Sequence, residues 1–313
     1  MKKSLRVIFT HIFFAIAVYF PLTTHCLYAS FSKKDAGTSA CQFLKIGAGA
    51  RASGMGEAFV GVSDDASCLY WNPAGLGHID ARSLMVTHAL WFEGINYSLG
   101  SYVHPVNNGS VGVGVQYLGY GELTGMDETG LETGSYNPRD IAVTAGYGFS
   151  VGDFLIGANV KYISSKITET GTAFGMDLGI QYILTDLPLT LGAVIQNVGS
   201  RIKYIEDSFD LPLTVKAGLG CRPAKDLIIA VDVVAPRDNE INIGAGAEYR
   251  YLINKQTSIA GRIGYNSRNR EVGGLRGLTC GAGLGYDGYT VDYCFEPFGD
   301  LGSTHRVSFG AKW

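Results

Sequence analysis

The sequence predicts an all-β protein: a closed antiparallel transmembrane β-barrel of about 14 strands with an N-terminal hatch or plug segment in its lumen. Three observations predict it. From Ser83 to the C-terminus, apolar residues alternate with small or polar ones in segments of about nine to eleven residues, the length of a tilted membrane-spanning strand. The connections between these segments alternate short and long, as in outer-membrane barrels. The composition pairs 43 glycines in 313 residues with only 17% charged residues and a mean hydropathy of +0.13, yet beyond the leader no apolar run is long enough for a spanning helix. With 46% hydrophobic and 12% aromatic residues and a net charge of −3, the chain also has ample material for a core, which argues against disorder.

In chain order, residues 1–29 read as a secretory signal peptide, with Lys2, Lys3 and Arg6 before the apolar stretch Val7 to Phe20 and cleavage after Ala29. Cys26 follows Thr23-Thr24-His25, which lacks the Leu and small residues of a lipidation site. Removing the leader takes away three positive charges and leaves an acidic chain, so nucleic acid is not expected as a partner. Residues 30–80 read as the hatch and residues 81–313 as the barrel.

Fourteen alternating segments begin near Ser83, Ile95, Ser110, Arg139, Asp153, Ala173, Leu189, Leu211, Asp226, Glu240, Gln256, Thr279, Tyr289 and Thr304. Short connections fall at Pro105–Gly109, Gly152, Thr185–Pro188, Arg222–Lys225, Asn254 and Asp287-Gly288. Longer ones fall at Gly121–Pro138, Gly199–Asp210, Asn266–Leu278 and Glu296–Ser303. Phe149, Phe154, Tyr182, Tyr249, Tyr251, Tyr286, Tyr289 and Trp313 flank the short turns and would form an interfacial girdle.

The alternation also assigns the faces. Ile241, Ile243, Ala245, Ala247 and Tyr249 share one side of their segment, and Asn242, Gly244, Gly246, Glu248 and Arg250 share the other. Lys161, Asp177, Lys216, Asp232, Glu248, Arg262, Asp292, Glu296 and Arg306 all fall on the glycine-bearing face, which is assigned to the lumen. On this reading Ile243→Arg impairs assembly and Gly244→Ser is tolerated.

Residues 41–77 do not alternate. They are rich in Gly and Ala, with polar clusters at Ser63-Asp64-Asp65 and Asn72-Pro73, and suit a compact plug, because side chains of the wall alone cannot fill so wide a barrel. The run Gly47 to Gly56 (GAGARASGMG), Glu57-Ala58-Phe59, Asp64-Asp65 and Tyr70-Trp71-Asn72-Pro73-Ala74-Gly75-Leu76 resembles the N-terminal signature of PorV/PorQ-type outer-membrane proteins. These are similar to the FadL long-chain fatty-acid transporters. The resemblance implies a fourteen-stranded barrel with Asn72, Pro73 and Ala74 in the hatch, and a role either in uptake of hydrophobic compounds or in type IX protein secretion.

Catalytic and metal motifs are missing from the sequence. Gly47 to Ala52 fits a loose G-x-G-x-x-A pattern, but no βαβ unit surrounds it. His78, His88, His104 and His305 are isolated, and Asp64 and Asp65 lack the further oxygen ligands of a calcium loop and suit a turn or a helix cap. No catalytic residue, metal site or cofactor is expected, and the chain is not read as an enzyme. Cys41, Cys68, Cys221, Cys280 and Cys294 form no C-x-x-C pair; the last three read as small apolar strand residues, and a Cys41–Cys68 bridge stays open.

Leu118, Ile163, Val194, Ile228 and Val234 are large apolar residues on the otherwise polar face, fit either to line a ligand pocket or to pack against the hatch. The expected function is passive uptake of a fatty-acid-like hydrophobic molecule across the outer membrane. The alternative is a type IX secretion-related barrel that binds exported proteins at the cell surface. Expected partners are outer-membrane lipid, a hydrophobic small molecule and, on the alternative, secretion-system proteins; a monomer with both termini periplasmic is expected.

Overall fold

The computed structural model describes residues 33–91, 94–269, 277–299 and 302–313, so the signal peptide and Cys26 lie outside the described residues. Its strands are β1 (Ser83–Leu90), β2 (Asn96–Val106), β3 (Gly109–Gly119), β4 (Leu123–Met126), β5 (Glu132–Tyr136), β6 (Arg139–Val151), β7 (Phe154–Lys166), β8 (Thr170–Leu184) and β9 (Leu189–Gly199). They continue with β10 (Ile202–Tyr204), β11 (Asp207–Phe209), β12 (Thr214–Ala224), β13 (Leu227–Pro236), β14 (Asn242–Leu252), β15 (Thr257–Asn266), β16 (Leu278–Tyr286), β17 (Tyr289–Pro297) and β18 (Ser303–Lys312). All but β4, β5, β10 and β11 form one closed antiparallel barrel in sequence order. It closes by β1 against β18, from Ser83 opposite Lys312 to Leu90 opposite His305. Closure leaves the barrel sheet without an edge, so the wall's backbone donors and acceptors are paired across strands.

Period-two alternation settles which way each side chain faces. Ile243, Phe174, Leu178, Val307 and Phe309 are exposed on the outer wall, whereas all nine charges assigned to the lumen are buried. The aromatics next to the short turns pair off there, with Phe154 against Tyr182 and Tyr289 against Phe309. Ile243→Arg would set a guanidinium on this apolar wall at a cost of ~2–4 kcal/mol if it lies at the bilayer midplane. The variant is expected to lose most of its heat-resistant folded band on unboiled gels; an undiminished band would contradict the facing.

Two of the longer connections carry structure beyond the predicted loops: β4 pairs with β5, and β10 with β11. The β4–β5 turn closes locally, as Asp127 Oδ1 accepts from the backbone N–H of Thr129 (2.8 Å) and Leu131 (3.0 Å), with Gly130 at φ 81°. These contacts come from turn chemistry, which a search for ten-residue alternation passes over.

The residues before β1 fill the lumen. Short 3₁₀ turns at Lys33–Asp35, Gln42–Lys45 and Pro73–His78 and short helices α1 (Ala50–Gly54) and α2 (Cys68–Trp71) make up this hatch. Its Phe43, Met55, Phe59, Trp71 and Leu76 are buried together with the inward Tyr97, Leu99, Leu118 and Ile163 of the wall. The hatch thus supplies most of the molecule's apolar core. It enters at the long-connection end, where Ser39 bridges Asp210, and leaves at the short-turn end, where Arg82 exchanges backbone hydrogen bonds with Trp313 (3.1 and 3.0 Å). Ser39 therefore lies at the long-connection end of the barrel and the C-terminal Trp313 at the short-turn end. Cys41 and Cys68 are also both free, because one sits near the long-connection end and the other in α2.

Candidate functional site

Asn72, Pro73 and Ala74 lock the hatch to the wall. Asn72 is fully buried; its Oδ1 accepts from Ala74 N–H (3.1 Å), and its Nδ2 donates to the carbonyls of Val60 (3.1 Å) and of Ile180 on β8 (3.3 Å). Pro73 then lies on the inner surface of β6 to β8, where a side chain on Gly148 would meet its carbonyl at 2.8 Å. Further along, Asp232 Oδ2 accepts from the N–H groups of Phe59 (2.7 Å) and Val60 (2.8 Å), and Asn159 donates to the Leu69 carbonyl (2.6 Å).

Glycines on both partners make this approach feasible. Gly56 takes φ 65°, and a Cβ there would press on the Ala245 carbonyl at 2.6 Å, while a Cβ on Gly244 would press on the Gly56 carbonyl at 2.6 Å. Gly244→Ser is therefore not the harmless change expected from its luminal position: the lumen at that point is hatch backbone, not open space.

A chain of charges spans the same interface. Arg51 of α1 donates to Asp64 Oδ1 (2.6 Å), Asp65 Oδ2 (2.9 Å) and Glu248 Oε2 (2.8 Å); Glu248 also accepts from Arg262 Nε (2.6 Å), whose Nη1 lies 2.7 Å from Asp292. Arg222 joins at Asp64 Oδ2 (2.8 Å). Asp65 Oδ1 meanwhile accepts from Ser67 N–H (2.9 Å) and closes the turn before α2, the local role expected for this acidic pair. Burial alone would raise the Asp64 carboxyl, but Arg51 and Arg222 outweigh it and hold it below its ordinary value of 3.8. A depressed carboxyl stabilises the fold above that ordinary value and ceases to as pH falls through its lower folded value. The near-ultraviolet circular dichroism around Trp71 is thus expected to hold from neutral pH down through the usual carboxylate range and to collapse only in stronger acid. Loss already at mildly acidic pH would contradict this link.

Above the hatch, toward the long connections, lies a cleft of about 170 Å³ between β12, β13, β14 and β15. Gly56, Glu57 and Trp71 border it from the hatch side, Val234 and Lys216 from the wall, and Ile241 and Arg268 from the connections. Its charges are unevenly compensated. Lys45 pairs with Asp238 (2.7 Å) and Arg268 with Glu57 (3.0 Å). Lys216 is 8% exposed and lies over the rings of Tyr70 (5.4 Å) and Trp71 (5.0 Å), and among the described residues it makes no hydrogen bond or ion pair. Rings stabilise an ammonium only in part, so a buried lysine on this cleft favours an anion beside it.

The apolar candidates separate. Val234 borders the cleft; Leu118 and Ile163 are buried in the packed core, Val194 is buried on β9, and Ile228 packs partly buried against the core. Lys216 was legible as luminal but not as a lysine that makes no ion pair among the described residues, since its sequence pattern matches that of the paired Lys161, which lies 2.9 Å from Asp177. Trp71 and Arg268 come from the hatch and from a connection, and no periodicity marks them.

Solved structures with this architecture include the Pseudomonas putida toluene transporter TodX, with a TM-score of 0.58 at 14% identity over 85% of this chain and 96% of that one. The Ralstonia pickettii toluene transporter TbuX gives 0.56 at 12% identity over 85% and 98%. A Pseudomonas aeruginosa FadL homologue gives 0.53 at 14% over 83% and 97%. At such identities the likeness establishes the fold alone. Among curated proteins no sequence relative matches. The model of UPF0164, an uncharacterised protein family, matches residues 21–183, and the chain belongs to that family.

Proposed function

We propose that this protein is an outer-membrane channel, not an enzyme, that admits an anionic amphiphile of fatty-acid type by diffusion past its hatch. The observation that carries the reading is Lys216, a buried ammonium that makes no ion pair among the described residues and lies on the luminal cleft over Trp71. The cleft's volume suits a carboxylate and a few methylenes, a head-group site well below the ~300 Å³ of a pocket for a whole ligand. Val234 and the exposed Ile241 continue it with apolar surface for a tail.

The membrane placement is supported by the apolar outer wall, which in water would be a patch far larger than soluble proteins expose. With the long connections outside, the cleft faces the medium and the hatch guards the periplasmic side. Toluene transporters and a FadL homologue stand among the similar structures, in agreement with hydrophobic cargo. Kinship with PorV/PorQ-type proteins in particular, and the docking of exported proteins that goes with it, rests on the hatch motif alone. Expression in a Gram-negative host stripped of its own long-chain-acid channel is expected to restore growth on a long-chain carboxylate. Protein folded in the outer membrane without restored growth would contradict the proposal.

A further inference from the structure

Arg139 opens β6 and Lys166 closes β7, and the two stand directly opposite each other in the ladder. Both are exposed while the adjoining Asp140 and Ser165 are buried, so both point away from the lumen. Like charges set opposite on neighbouring strands repel. Among the described residues neither makes an ion pair within 4.0 Å, and the nearby turn residue Glu169 pairs with neither.

What lies beside them on the same outward face identifies their surroundings. One step toward the barrel's middle come Tyr117 opposite Ile141, then the paired rings of Tyr162 and Phe174, with centroids 5.5 Å apart. Val143 stands opposite Tyr162, and beyond this level the wall is aliphatic, with Val160 and Met176 both exposed. Aromatic rings above an aliphatic band mark the membrane interface, and the next level outward is that of the lipid headgroups. The basic pair sits at that level. Its side chains are long enough to converge on one anion, and an arginine beside a lysine suits phosphate, the first as a fork and the second as a point charge.

We propose that Arg139 and Lys166 hold the headgroup phosphate of an anionic membrane lipid whose acyl chains lie along Tyr117, Tyr162 and Phe174. The site is outside the barrel and independent of the luminal cleft; it rests only on the membrane placement proposed above. An attached phosphate relieves the repulsion between the two cations, and the aromatic ledge below selects a lipid over a free anion.

The test is native mass spectrometry of the folded protein released from bilayers of equal phosphatidylglycerol and phosphatidylcholine, counting the lipids that stay bound. Wild type is expected to retain phosphatidylglycerol preferentially, and R139Q/K166Q to lose that preference roughly tenfold at two basic contacts. R139K/K166R keeps both charges and is expected to retain it, as is K255Q at the opposite end of the barrel. Inorganic phosphate added in excess is expected not to displace the lipid; displacement would mean a free-anion site and overturn the proposal. Equal retention of both lipids by wild type, or an unchanged preference in the folded double glutamine variant, would also overturn it. Wild type that enters no bilayer contradicts the membrane placement, a failure recognised before any lipid is counted.

Discussion

Gly246→Ser is expected to unseat the hatch. The serine Cβ would be driven into the backbone of Met55, and the wall strand β14 cannot retreat because β13 and β15 hold it on both sides. Overpacking a core costs ~1–3 kcal/mol when side chains can adjust, and here backbone meets backbone, so the upper part of that range applies. The Glu248 hub that binds Arg51 lies two residues along the same strand, and displacing α1 would break it as well. The expected readout is rapid proteolysis of residues 47–80 in a barrel that still closes. Gly261→Ser on the neighbouring strand is the control: its Cβ would meet nothing within 4 Å, and protection of the hatch should be unchanged. Equal protection in both variants would mean that the hatch does not press on the wall.

Lys216→Met is expected to weaken binding of a long-chain carboxylate by about tenfold or more, the consequence of losing a charged hydrogen bond of ~1.5–3 kcal/mol. Methionine keeps the stem that covers Tyr70 and Trp71, so the fold should stand and the circular dichroism should not change. The alcohol of the same chain length is expected to bind wild type and variant alike, since it brings no charge to the ammonium. If carboxylate and alcohol weaken together, Lys216 shapes the cleft and does not read the head group.

The wall was the legible part of this molecule, because a strand with an exposed apolar face on one side and hatch on the other writes its two environments into alternate residues. That is why Ile243 and Glu248 could be assigned to opposite faces without any contact being known. Gly244 shows where such reasoning stops. Its face follows from the alternation, but the carbonyl of Gly56 that rests on it belongs to a segment nearly two hundred residues earlier, and no local pattern encodes that meeting. The same limit applies to the site. Lys216 carries the same pattern as the other luminal charges; that Lys161 pairs with Asp177 and Lys45 with Asp238, while Lys216 lies over two rings with no ion pair among the described residues, is visible only in three dimensions. The hatch motif was visible as a departure from alternation. Its direction of travel, from the long connections down to the short turns, was not, because it depends on the β10–β11 corner that receives Ser39.

The central claim is that the cleft above the hatch receives an anionic head group at Lys216. Crystals of the folded protein soaked with a long-chain carboxylate brominated on its tail would test it most directly, since the bromine locates the chain without ambiguity. The account places the carboxylate within hydrogen-bond distance of Lys216 Nζ, over Trp71, with the tail along Val234 and Ile241. A carboxylate bound elsewhere in the barrel, with the cleft vacant, would contradict it.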